Sequence, residues 1–544
     1  MTKASNKLAS PVRLAGSVIK APKHKRSHTT PANKRLSFYI GVVAPTVQDY
    51  ALQVMAGKAP AISLDKYLAD YGAPQASVDK VTLWAAKTGH TILGYDRFLR
   101  LLHVVHNAAG VRAVYSAKLS EYDDGNGGLF TGRNSGLTIP AEIASFISGV
   151  HGIDGRPHAR TKIRIGAEIK PTKGGKRGGK AGSTAARPRT WNPVQLAQHF
   201  GVHRNNLGAG TACGFFSLGG GMDTAVLAKA NARLSLPAAD WNFLFSDGAT
   251  NTPNADGSLN GADGENYLDG QMQQGIAPKA KLFCSFATNT GVGIAHGFAA
   301  LFQQANLKSA SGSWGQAEEN WDQQDINLTE ETLAAGQAMG INIANAAGDD
   351  GSNDNVGDGK AHMDYPASSK FNTSCAGVYD DGKTVTVWGG KPNDGLTGGG
   401  VSVVFPKYTD EQLLLQAAGH KLPVNADTGE PGRIGGDIAG IADPQTAIEV
   451  MDGTGKVFGI GGTSAVSPFT AGSWAATEGD LGHPLPPFNA LIYKAAAAGK
   501  SVCNIVTKGS NGAYSAKPGD VINCCGLGTV DYDKVFTVAS QPAA

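Results

Sequence analysis

From Trp191 onward the chain alternates short apolar runs with longer helical patterns, and this alternation limits the fold more than any other feature. Strands separated by helices cannot pair as hairpins; each needs a crossover, which makes neighbouring strands parallel. The predicted strands are 211–218, 241–246, 281–287, 309–314, 341–344 and 375–379, and the predicted helices 223–234, 265–274, 291–304, 329–340 and 464–478. That order describes an α/β doubly wound, mainly parallel sheet, whose chemistry collects in the loops at the strand C-terminal ends.

The N-terminal third reads differently. Residues 1–34 are basic and rich in Pro, Ser and Thr, the composition of a loose arm. Residues 35–43 read as a strand, 47–56 and 78–88 as helices, 98–108 as either, 111–122 and 128–140 as strands, and 140–150 as a helix. This mixture implies a separate small α+β domain over 35–165. Residues 166–190, with P-T-K-G-G-K-R-G-G-K at 171–180, form a basic Gly-rich linker open to proteolysis, and residues 191–544 a second domain. The linker's Gly174…Gly179-Lys180 spacing imitates a phosphate loop but lacks the following Ser or Thr and a preceding strand.

Several classes are disfavoured by bulk properties. A net charge of +3 over 544 residues gives no reason to expect a nucleic-acid partner. No apolar run is long enough to span a bilayer, and residues 1–10 lack the apolar core of an ordinary secretory signal. The six cysteines form no C-x-x-C pair, and whether Cys503 bridges to Cys524 or Cys525 is left open.

Three segments carry candidate chemistry. In I-G-G-T-S-A-V-S-P-F-T-A-G (460–472) two glycines feed a helix start, where unpaired N–H groups favour negative charge beside Ser464. In D-G-E-N-Y-L-D-G (263–270) Glu265 and Asp269 are four apart, so a helix sets both carboxyls on one face. In N-A-A-G-D-D-G-S (345–352) Asp349 stands just past a strand end. Alone, each has an ordinary explanation: a capped turn, a solvated face, an Asp-Gly turn. Histidine-dependent subtilisin chemistry has no H-G-T-H-like site here, and no G-x-S-x-G elbow surrounds Ser464.

Taken in order, G-E-x-x-x-D, S-W-G (313–315), A-A-G-D-x-G-S and G-G-T-S-A-x-x-P resemble the sedolisin family of serine-carboxyl peptidases, kumamolisin-type members above all. L-G-G-G-M-D (218–223), D-G-A-T-N (247–251) and D-Y-P-A-S-S (364–369) extend the likeness, and G-L-F-T-G-R-N-S-G-L-T-I-P-A-E-I with V-H-G-I-D (150–154) resembles that family's pro-domain. The resemblance implies a subtilisin-like catalytic domain behind an α+β, ferredoxin-like pro-domain that serves as intramolecular inhibitor. It implies Ser464 as nucleophile, Glu265 as general base, Asp269 as its orienting partner and Asp349 as oxyanion donor with the Ser464 N–H. The implied enzyme is a self-processing, acid-active endopeptidase on protein or peptide substrates, monomeric, and working outside the cytoplasm or in an acidic compartment.

The resemblance also implies substrate contacts at Trp314 and Asp364, the latter toward basic side chains, and one Ca²⁺ site at Asn504, Ile505 and Asp520. Three positions depart from the family pattern: Ser217 for an acidic residue, Asn504 for Asp, and Asp350 for Ser. The first two motivate the alternative of a catalytically degenerate binding or scaffold protein.

Overall fold

The computed structural model describes residues 11–125, 127–169, 189–389 and 394–541. Its centre is a sheet in the spatial order Asp240–Phe245, Lys281–Phe286, Ala212–Ser217, Leu307–Gly312, Asn342–Ala346, Thr373–Asp380, Ile438–Ile441, Thr529–Val530, Cys503–Asn504. All of these pairs are parallel except the last, and Val385–Val387 adds antiparallel to Thr373–Asp380. The expected doubly wound sheet is therefore present.

Strand alternation builds two cores. Phe215, Leu282 and Cys284 pack with helices Ala262–Ile276 and Val466–Leu481, whereas Phe216 and Phe283 pack with Gly293–Phe302 and Gln323–Ala338. Successive side chains point to opposite faces, so a strand covered on both sides is apolar throughout. The helix that follows Ser464 is buried on all sides over 466–478, its few polar residues being mostly small hydroxyls.

The N-terminal domain has an antiparallel sheet ordered Thr91–Asp96, Leu101–Asn107, Arg35–Val42, Ile147–His151. Numbered along the chain this is 2-3-1-4, the ferredoxin-like order, with helices Gln75–Lys87 and Ala108–Tyr115 connecting the strands. It docks by helix Gln48–Met55 on Gln323–Ala338 of the catalytic body, sharing an apolar core through Val47, Ala51 and Met55. Polar clasps surround that contact: Arg133 to Asp322, His151 Nδ1 to Asp325 at 2.8 Å, and Tyr39 to Asp247.

Three expectations need correction. Residues 11–34 are no loose arm: Pro11–Arg13 pairs with Thr138–Pro140, Arg26–Thr29 pairs with Leu119–Asp123, and buried Leu14 and Ser17 fix the segment. Residues 111–122 are not one strand; the Asn107 side chain caps a helix over Ala108–Tyr115 by accepting the Gly110 N–H at 2.7 Å, and left-handed Ser116 ends it. The helix expected over 140–150 stops at Ala144, because Ile147–His151 is taken as the edge partner of Arg35–Val42. Of the linker 166–190, residues 170–188, with the expected nicking site, lie outside the described residues. The six cysteines are all free thiols in the structure.

Candidate active site

Strand Val457–Gly461 ends in a turn at Gly462 that leads through Thr463–Ala465 into helix Val466–Leu481. Ser464 is fully buried in that turn. Gly462 sits at φ +120°, and a Cβ there would collide with the Lys162 carbonyl oxygen and come within 2.8 Å of Asp349 Oδ2. Only glycine permits this close approach.

Helix Ala262–Ile276 carries Glu265 in its first turn and Asp269 one turn later, both fully buried. Glu265 Oε2 accepts the Lys162 N–H at 3.0 Å. The Ser464 hydroxyl faces the Glu265 carboxyl, but its aligned hydrogen bond goes to the Ser313 carbonyl at 3.5 Å, and Glu265 Oε1 has no hydrogen bond. Asp269 Oδ1 accepts the Ser313 hydroxyl at 2.9 Å, and Ser313 lies 3.0 Å from the Ser467 hydroxyl.

Burial pushes Glu265 up to about 8, against the pull of Ser464 and the Lys162 N–H. Asp269 is also raised well above its ordinary value, from burial and then from the Glu265 charge. Two like carboxyls in a dry site cannot both ionise readily, and the one with more donors ionises first. That one is Glu265.

Asp349 follows strand Asn342–Ala346 and is 2% exposed. Its Oδ1 accepts the Thr463 N–H at 2.8 Å and the Thr463 hydroxyl at 2.9 Å, while Oδ2 has no hydrogen bond and faces Arg164 Nη1 at 3.8 Å. Burial raises it to about 7, partly offset by Arg164.

An extended strap of the chain's own backbone crosses these groups. Arg160–Thr161 pairs antiparallel with Trp314–Gly315, and Arg164–Glu168 pairs with Val457–Gly461. Between them the Ser464 N–H donates to the Lys162 carbonyl at 3.3 Å. The Lys162 ammonium is buried against Asp364 and donates to the Ala346 carbonyl at 3.0 Å.

The structure thus brings Ser464, Glu265, Asp269 and Asp349 to one place, with Trp314 at the edge of the strap's partner strand and Asp364 at its lysine. Ser217 is not part of that carboxyl chain: its hydroxyl donates to the Gly219 carbonyl at 2.9 Å. Sequence reading missed Lys162, Arg164, Thr463 and the Ser313 hydroxyl. A K-I-R triplet between two domains was the available signal for the strap; nothing local marked Thr463.

The expected Ca²⁺ residues Asn504, Ile505 and Asp520 lie in the C-terminal segment of the catalytic domain. Asn504 is exposed, Asp520 Oδ2 accepts the Lys517 N–H at 2.8 Å, and the nearby Asn523 amide donates to the Val506 carbonyl at 2.9 Å. Among the described residues no group of three or more His, Cys, Asp or Glu side chains could hold a metal. A hard dication needs several oxygens, usually with more than one carboxylate.

The Ser464 hydroxyl has the Ser313 carbonyl and the Glu265 carboxyl beside it, an arrangement of a serine with a carboxyl neighbour. On a parallel α/β sheet of this order, that defines the serine-carboxyl class of peptidase. Comparison with known proteins agrees: the family description "Pro-kumamolisin, activation domain" matches residues 23–156. Kumamolisin of Bacillus sp. (strain MN-32) is 34% identical over 436 residues, covering 77% of this chain and 75% of that protein. Sedolisin of Pseudomonas sp. (strain 101) is 24% identical over 485 residues, covering 82% and 76%. The solved Pseudomonas sedolisin complexed with pseudo-iodotyrostatin superposes with a TM-score of 0.55 at 22% identity, over 64% of this chain and 98% of that one, which is a likeness of fold. The chain belongs to the kumamolisin–sedolisin family of serine-carboxyl peptidases and carries that family's activation domain ahead of its catalytic domain.

Proposed function

We propose that the chain is the latent form of an acid-active endopeptidase that cuts its own strap between Lys162 and Ile163. The observation that carries this reading is the strap's register: its carbonyl at Lys162 receives the Ser464 N–H, while Arg160–Thr161 pairs with the Trp314–Gly315 edge as a bound substrate would.

In the proposed reaction Glu265 takes the Ser464 proton as the hydroxyl oxygen bonds to the Lys162 carbonyl carbon. The resulting oxyanion is held by the Ser464 N–H and by protonated Asp349. The carbon–nitrogen bond to Ile163 then breaks, and the amine leaves with the proton from Glu265. Water repeats the sequence on the acyl-serine and frees the Lys162 carboxyl. Asp269, donor-poor and therefore protonated, lies one helix turn from Glu265 and serves in this scheme as its orienting neighbour.

Latency has a physical cause in this scheme. The strap excludes water, and burial keeps Glu265 protonated at neutral pH, where it is no base. Loosening of the N-terminal domain in acid admits water, lowers the Glu265 pKa toward its ordinary value of about 4.3, and leaves Asp349 protonated. An acidic setting follows from this chemistry. Calcium has no step in it.

The test is cleavage of a lysine-containing reporter peptide by the purified chain at about pH 4 and about pH 7, beside the Ser464→Ala variant. Turnover after acidification in the wild type alone is expected. Equal turnover by Ser464→Ala, or none by either chain in acid, would overturn the reading.

A further inference from the structure

The strap is extended, so Arg160, Lys162 and Arg164 fall on one side of it. Lys162 meets Asp364, which the family resemblance implies as a contact for basic side chains. Two residues beyond the scissile bond, Arg164 meets a carboxylate that the reaction does not use. We propose that Asp350 is a specificity residue that selects substrates with arginine or lysine at the second position after the cleaved bond. This rests on the peptidase reading above, because the register is counted from Lys162 at Ser464.

The contact has the form of a built subsite. Arg164 Nη2 donates to Asp350 Oδ1 at 2.7 Å and to the Asp349 carbonyl at 3.1 Å, while Nη1 donates to the Ile163 carbonyl at 3.2 Å. One planar guanidinium therefore satisfies a carboxylate and two carbonyls at once, a fork that fixes the side chain's direction. The floor beneath it is bare: a Cβ on Gly395 would come within 3.1 Å of Arg164 Nε. The loop bearing Asp350 is itself tied, by Gly351 N–H to the Leu396 carbonyl at 3.0 Å and Leu396 N–H to the Asp349 carbonyl at 3.0 Å.

Beside Arg164 lies an open cavity of about 410 Å³ whose lining includes Thr161, Ile163, Arg164, Ile165, Asp394 and Pro444. The cavity lining thus offers a second carboxylate, at Asp394. Arg164 and Asp350 have side chains about one-third exposed, 30% and 34%, so solvent screens the pair and the selectivity it gives is moderate.

Two reporter peptides with identical ends, containing Arg-Thr-Lys-Ile-Arg and Arg-Thr-Lys-Ile-Ala, are to be assayed with the full chain after its own acid processing, as wild type, Asp350→Asn and Asp350→Lys. The wild type is expected to favour the arginine peptide by about three- to tenfold in kcat/KM, the size of a partly screened charged hydrogen bond. Asp350→Asn should bring the ratio near one, and Asp350→Lys should invert it. A wild-type ratio near one, or an undiminished ratio in Asp350→Asn, with both peptides still cut after lysine, would overturn the subsite and leave the peptidase reading standing. Cleavage at another bond would overturn the register and the subsite together. Failure to cut either peptide would sink the peptidase reading itself.

Discussion

Glu265→Gln is expected to lower peptide turnover by about 10²- to 10⁴-fold, the range for loss of a positioned general base. The amide is nearly isosteric and can still accept the Lys162 N–H, so the strap and the Ser464 geometry persist while the proton acceptor is gone. The same change should stabilise the fold at neutral pH. With its pKa raised to about 8, folded Glu265 keeps its proton where the unfolded side chain has lost it. Stability from that proton is complete below the unfolded value near 4.5 and is lost as pH rises toward 8, so at pH 7 the wild type gives up roughly 3 kcal/mol that glutamine would not. Lost turnover with an unchanged or higher melting temperature is the expected pair of results, read by steady-state kinetics and thermal melts at pH 7. A variant that melts early, or that retains activity, would remove Glu265 from the proton-handling role.

Acid is expected to act on the two domains in opposite directions. In the catalytic body burial raises Glu318, Glu330 and Glu478 to about 7 each. These groups hold their protons only when folded, so their contribution is full below about 4.5 and disappears as pH rises through 7. In the N-terminal domain burial lowers His90 to about 4, so its folded form resists the proton that the unfolded ring takes below about 6.5. Stability there is lost as pH falls from 6.5 to 4, by roughly 2–3 kcal/mol from this one ring. Asp154 and Glu121 act in the same sense: burial pushes each up but is outweighed, by Arg156 at Asp154 and by Lys34 and Thr131 at Glu121, so both lie below their ordinary values and lose their contribution as they protonate.

Amide hydrogen exchange of Ser464→Ala, corrected for intrinsic rates, should therefore show Arg35–Val42 and Leu101–Asn107 losing protection between pH 7 and pH 4. Ala262–Ile276 and Val466–Leu481 should gain it. Parallel shifts in both sets would contradict the proposed route from latency to activity.

Much of this arrangement was legible in the sequence because its signals are local. Glu265 and Asp269 share a helix face through their spacing, Ser464 follows paired glycines at a helix start, and Asp349 follows an apolar strand. The parallel sheet was readable because its strands are buried on both faces. What could not be read depends on distant partners. Leu14 and Ser17 are ordinary residues of a polar segment until the Leu137 loop packs on them. Asn107 as a helix cap was hidden in the apolar run 98–108, which pattern alone leaves open between strand and helix. The strap was hidden most of all, since Lys162 and Arg164 look like linker charges until Asp364, Asp349 and Asp350 arrive from two hundred residues away.

The most direct measurement of the central claim is the intact mass of the full-length chain at the earliest times after acidification. A first pair of products ending at Lys162 and beginning at Ile163, absent from Ser464→Ala, is expected. A first cut inside the 171–180 basic run instead, or the same cut appearing without the Ser464 hydroxyl, would contradict it.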